Sequence, residues 1–159
     1  MQTVSVRRTI QLTATLALAA ALVAAPAHRS ASAGHGVRPA DITWETVPGY
    51  PAGYQRAMLE GQTNASVPVT YRVRLPGQFR FKPHIHSWDE HVTVLKGTWY
   101  VGFGKRFDES RMEKFEAGSF VIIPGGIPHY VLTHDETIVQ VHGVGPVGLT
   151  FVTPSEEKQ

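Results

Sequence analysis

From residue 42 onward, apolar and polar residues alternate in short runs, and glycine or proline separates one run from the next. Residues two apart in an extended chain share a face. The pattern therefore predicts half-buried β-strands rather than helices, whose apolar residues recur every three or four positions. Ten runs read as strands: 42–47, 55–59, 69–75, 90–96, 98–103, 112–115, 119–123, 129–133, 137–142 and 149–152, rich in Val, Ile, Thr, Tyr and Phe. Gly97, between two of them, suits a tight hairpin. Pro76-Gly77, Pro124-Gly125-Gly126 and Gly143-Val144-Gly145-Pro146 mark turns. No stretch shows a sustained amphipathic helical period. Short, closely spaced strands of this kind predict an all-β sandwich or closed barrel. It would occupy residues 42–154, after a Gly/Pro/Ala-containing linker at 34–41 and before a polar tail at 155–159.

The N-terminus follows a different pattern. Arg7 and Arg8 precede an Ala/Leu-rich run from Ile10 to Ala25, interrupted only by Gln11, Thr13 and Thr15. Small-residue cleavage patterns follow at Ala25-Pro26-Ala27 and Ala31-Ser32-Ala33. A positive start, an apolar middle and a small-residue end are the marks of an export signal. The expectation is a signal peptide over 1–33, cut after Ala33 or after Ala27. The apolar run is shorter than the ~20 residues a membrane-spanning helix needs. The paired arginines partly resemble a twin-arginine signal, although Gln11 departs from the expected apolar pair.

Removal of that segment changes the charge picture. The 159 residues carry 15 Lys and Arg against 13 Asp and Glu, a formal net charge of +2. Arg7, Arg8 and Arg29 lie in the signal and no acid precedes Asp41, so residues 34–159 hold 12 basic and 13 acidic groups, net −1. Such a chain has no electrostatic case for nucleic acid or for an anionic membrane once the signal is gone. The absence of Cys excludes a disulfide scaffold, a thiolate metal site and a thiol nucleophile. An exported protein without disulfides depends on its packed core, and some 126 residues suffice for one.

Two clusters carry the candidate chemistry: His84-Ile85-His86-Ser87-Trp88-Asp89-Glu90-His91 and Pro124-Gly125-Gly126-Ile127-Pro128-His129. In an extended chain His84 and His86 present both imidazoles to one side. Glu90 opens the next strand and shares a face with Val92 and Val94; His129 arrives from a later strand behind a turn. Three imidazoles and a carboxylate suit one divalent Fe, Mn, Ni, Cu or Zn ion. His91 rivals Glu90 as fourth ligand, but if Glu90 faces inward, alternation turns His91 outward. Thr133, Gln140 and His142 are the polar candidates to stand behind the ligands. His142 also reads as a hydrogen-bonded structural histidine. Trp88, Val92 and Val131 are candidate pocket walls, while Phe79, Phe81 and Trp99 read as core.

These clusters resemble the two motifs of the cupin superfamily. Gly77, His84, His86, Glu90 and Gly97 match the first motif, with six residues from Glu90 to Gly97. Gly118, Pro124, Gly126 and His129 match the second at full spacing. Two departures stand out. The spacer after Gly77 is six residues rather than the usual five, and Thr133 replaces the family's Asn. The resemblance implies a small double-stranded β-barrel with His84, His86, Glu90 and His129 as ligands to one metal ion. It makes a homodimer the default assembly. Among functions, it implies an exported metal-dependent enzyme, dioxygenase-like, acting on a small chelating oxyacid or diketone. The alternative is a non-catalytic small-molecule-binding cupin with a structural metal or none.

Overall fold

The computed structural model describes residues 34–152. The expected signal over 1–33 and the tail at 155–159 lie outside these residues. Eleven strands form among them: β1 (Glu45–Thr46), β2 (Gln55–Glu60), β3 (Pro68–Leu75), β4 (Phe79–Ile85), β5 (Glu90–Lys96), β6 (Thr98–Phe103), β7 (Glu113–Glu116), β8 (Phe120–Ile123), β9 (His129–Thr133), β10 (Thr137–Val144) and β11 (Thr150–Phe151). The helical pieces among the described residues are two 3-10 turns, Pro39–Asp41 and Glu109–Arg111. None is long and apolar enough to cross a membrane.

The strands pair in antiparallel fashion into two sheets, ordered β1-β2-β3-β10-β5-β8 and β11-β4-β9-β6-β7. The all-β reading of the sequence is therefore correct, and the period-2 alternation sets which face is buried. In β3, Val69, Tyr71, Val73 and Leu75 are buried while Thr70, Arg72 and Arg74 stay partly exposed. In β10, Val139 and Val141 point inward and Ile138, Gln140 and His142 outward. Strand β9, between β4 and β6, is buried along its whole length. Its outward Tyr130 is covered by Phe107, with ring centroids 5.0 Å apart, and donates a hydrogen bond to Asp108 O at 3.1 Å.

The β5–β6 hairpin turns at Gly97, where φ is +74° and an added Cβ would lie 2.6 Å from Glu136 O. Only glycine meets both demands. The terminal expectations contract: 42–47 becomes the two residues of β1, and 149–152 the two of β11. The expected linker contains the first 3-10 turn. Strand β4 is an addition that the alternation did not predict.

Candidate metal centre

Strand β4 delivers the first histidine by breaking its own alternation. Phe81 pairs with Val131 and His84 with His129, so three steps along β4 match two along β9. The extra residue falls at Lys82-Pro83. A bulge of this kind reverses which side chains face the core. Phe79 and Phe81 point inward before it, His84 and His86 after it, and all four are buried. Proline is tolerated at such a bulge because the ladder makes no demand on its missing N–H.

The three imidazoles are oriented by main-chain carbonyls. His84 Nδ1 lies 2.7 Å from Lys82 O, His86 Nδ1 2.8 Å from Gly148 O, and His129 Nδ1 3.1 Å from Ile127 O. A carbonyl only accepts, so each Nδ1 carries the proton and each Nε2 is left with its lone pair. One ring nitrogen from each histidine lies within 4.8 Å of those of the other two. Phe81 stacks on the His84 ring at 4.2 Å and an interplanar angle of 26°. Burial holds His84 at a pKa of about 3, with the neighbouring His129 adding to the depression. Burial likewise lowers His129 to about 4, against the opposing hydrogen bond to Ile127. Both rings are neutral at pH 7.

Glu90 lies beside two of the three histidines. It is buried at the start of β5, with Oε2 3.6 Å from His86 Nε2 and 3.8 Å from His129 Nε2. Burial raises its pKa, and the nearby His86 works the other way. His91 takes the opposite face of the sheet, its ring against those of Phe120 and His142. Glu90 and not His91 faces the histidines.

A cavity of about 40 Å³ lies against this cluster. Val92 and Val131 line it, where the sequence places them. Four other expectations need correction. Trp88 is not in its wall: the indole is buried 6.3 Å from the His86 ring and 6.5 Å from the Tyr71 ring, and borders an outer cleft instead. Gly143 makes room for it, since a Cβ there would come 2.2 Å from the indole. Thr133 does not support the histidines, because its buried hydroxyl donates to Pro76 O at 2.7 Å. Gln140 points outward and accepts from Arg72 Nε at 3.2 Å. His142 lies on the same outer face, stacked on Phe120 at 24°. Strand alternation decides both: Val139 and Val141 take the inward positions.

The walls that sequence reasoning missed include three tyrosines. Tyr50, Tyr54 and Tyr71 line the cavity, with Trp99 and Leu149. Burial, above all, pushes the Tyr54 and Tyr71 phenols well above their ordinary pKa, and the Glu90 carboxylate acts in the same direction. Alternation with Val69 and Val73 marks Tyr71 as inward. Tyr50 and Tyr54 sit in an irregular loop with no period to read.

Two antiparallel sheets enclosing converging imidazoles, beside a carboxylate, define a cupin. More narrowly, the sequence signature of the ChrR cupin-like domain matches residues 32–148, and the chain belongs to that family. The chain matches no curated protein sequence. Among solved structures it is similar to the polyketide cyclase RemF from Streptomyces resistomycificus, at 23% identity and a TM-score of 0.64, covering 78% of this chain and 89% of that one. It is also similar to the DMSP lyase DddQ from Ruegeria pomeroyi, at 20% identity and a TM-score of 0.58, covering 74% and 64% of the two chains. The salicylate 1,2-dioxygenase of Pseudoaminobacter salicylatoxidans matches at 12% identity and a TM-score of 0.53, covering 63% of this chain and 29% of that one. At these identities the likeness is one of fold, and the three proteins differ in reaction.

Proposed function

We propose that the protein is an exported metal-dependent cupin that holds one divalent transition-metal ion through His84, His86, His129 and Glu90. The export reading rests on the Arg7-Arg8 start, the apolar run and the small-residue sites before Gly34. One observation carries the metal reading. All three Nδ1 protons are committed to carbonyls, so three lone pairs and a carboxylate converge with no donor among them. A buried cluster made only of acceptors calls for a donor or a cation, and a divalent ion would satisfy the three lone pairs and the carboxylate together. Imidazole nitrogen and carboxylate oxygen without thiolate suit Fe, Mn, Ni, Cu or Zn.

The substrate would be a small oxygen-chelating molecule, an oxyacid or a diketone, and the chemistry dioxygenase-like. A bound ion supplies Lewis acidity and, if redox-active, a site for dioxygen chemistry. The chain's own residues supply position and dryness. The backbone carbonyls fix the imidazoles, the Phe81 ring pins His84, and the valines of β5, β9 and β10 exclude water. A water needs ~10–15 Å³ of such space, so the 40 Å³ cavity takes only a few heavy atoms without side-chain movement.

Elemental analysis of the purified full chain tests this, with His84→Ala and His129→Ala alongside. Near-stoichiometric transition metal that disappears in both variants is expected, and oxygen uptake with oxyacids and diketones follows. Absence of metal after reconstitution would sink the reading. Tightly held zinc with no turnover would leave a metal-bearing binding protein.

A further inference from the structure

We infer that the cavity selects small monoanionic oxygen chelates, such as a 2-hydroxy-acid anion or a diketone enolate, over dianions, with Tyr54 and Tyr71 donating hydrogen bonds to the bound oxygens. This rests on the metal reading above. Tyr54 and Tyr71 are 6% and 3% exposed, and their hydroxyls have no hydrogen-bond partner among the described residues. Among those residues, Trp88 Nε1 is the sealed side-chain polar atom without a partner. Tyr54 and Tyr71 both line the cavity, and neither hydroxyl is sealed in the protein. A hydroxyl that meets no protein acceptor is free to donate to a ligand oxygen that displaces water there.

Charge sets the rest. No Lys or Arg lines the cavity, and Glu90 is its acidic residue. A dication beside one carboxylate leaves a single positive charge. A monoanion neutralises it, whereas a dianion leaves a net negative charge in an apolar cavity, where unpaired charge is strongly disfavoured. The approach is consistent with an anion. Tyr50 borders both the cavity and an outer cleft whose charged lining residues are Arg80 and Lys82. Arg80 is paired with Glu109 at 2.6 Å, and Lys82 has no side-chain partner among the described residues.

The test loads the full chain with Co(II), whose visible absorption reports its coordination, and titrates it with glycolate and with oxalate. Preference for glycolate over oxalate is expected to exceed that of aqueous Co(II) by at least tenfold. Tyr54→Phe and Tyr71→Phe keep the rings and should each weaken glycolate about tenfold, as loss of a hydrogen bond to a charged group does. Cobalt stoichiometry and the ligand-free spectrum should not change. An aqueous-like preference, or Phe variants that bind glycolate as tightly as wild type, overturns the inference and leaves the metal centre standing. Failure to take up cobalt overturns both.

Discussion

His84 and His129 are direct partners across the β4–β9 ladder, with ring centroids 4.1 Å apart. They meet on the inner face only because β4 carries one residue more than β9 between this pair and Phe81–Val131. Without that residue, strict alternation would carry His84 and His86 to the outside, opposite to Phe79 and Phe81. The bulge at Lys82-Pro83 thus joins an aromatic core segment to a ligand segment on one strand.

The Glu90–His91 step separates the inner from the outer face of β5. Glu90→Ala should lower metal occupancy severalfold, while His91→Ala should leave it at the wild-type level. Metal-to-protein ratios by mass spectrometry after dialysis decide it; the reverse pattern would mean that the carboxylate is a bystander.

The two depressed imidazoles make the metal-free protein acid-sensitive. A histidine lowered on folding leaves the unfolded chain as the better proton binder below its ordinary value of 6.5, so stability falls as pH drops from there toward about 4 for His129 and about 3 for His84. Glu90, raised by burial, acts in the opposite direction above 4.5. The two imidazoles alone account for a loss of about 2–3 kcal/mol between pH 7 and 5.5, with the Glu90 carboxyl acting against it. Urea unfolding of chelator-treated Glu90→Gln protein at the two pH values should show it, and a flat profile there would contradict the neutral-imidazole assignment.

Gly143 bears on the centre through Trp88. A Cβ at 143 would stand 2.2 Å from the indole, which in turn packs near His86. Gly143→Ala should cost about 1–3 kcal/mol by overpacking and shift the tryptophan emission. Adding Trp88→Leu should recover part of the loss, as measured by the denaturation midpoint.

Thr133 has a structural role, closing the Pro76 turn through its hydroxyl. Thr133→Val, which leaves the Pro76 carbonyl unpaired, should cost about 1–3 kcal/mol and leave metal content unchanged. Loss of metal without loss of stability would restore it to the ligand environment.

Most strands were legible because alternation is a local signal: β5, β6 and β9 have the predicted bounds. The same signal orients Glu90, Val92 and Val131. Strand β4 was hidden because Pro83 and the parity change at the bulge erase the period that would reveal it. Tyr50 and Tyr54 were hidden for another reason. They reach the cavity from a loop, and what brings a loop against a particular barrel wall is tertiary packing, on which period says nothing. Thr133 misled because a motif position predicts which residue type is present, not which neighbour its hydroxyl meets.

The carbonyls that aim the imidazoles belong to Lys82, Ile127 and Gly148, and a carbonyl is present whatever side chain its residue bears. The ligand-bearing frame is therefore insulated from much of the sequence around it. Tyrosines, valines and leucines on the cavity wall are open to replacement without rotating a single ring. A lineage built this way would change its chemistry by exchanging walls while the donor atoms stand still, and the substitutions worth making in the laboratory lie at Tyr50, Tyr54, Tyr71 and Leu149.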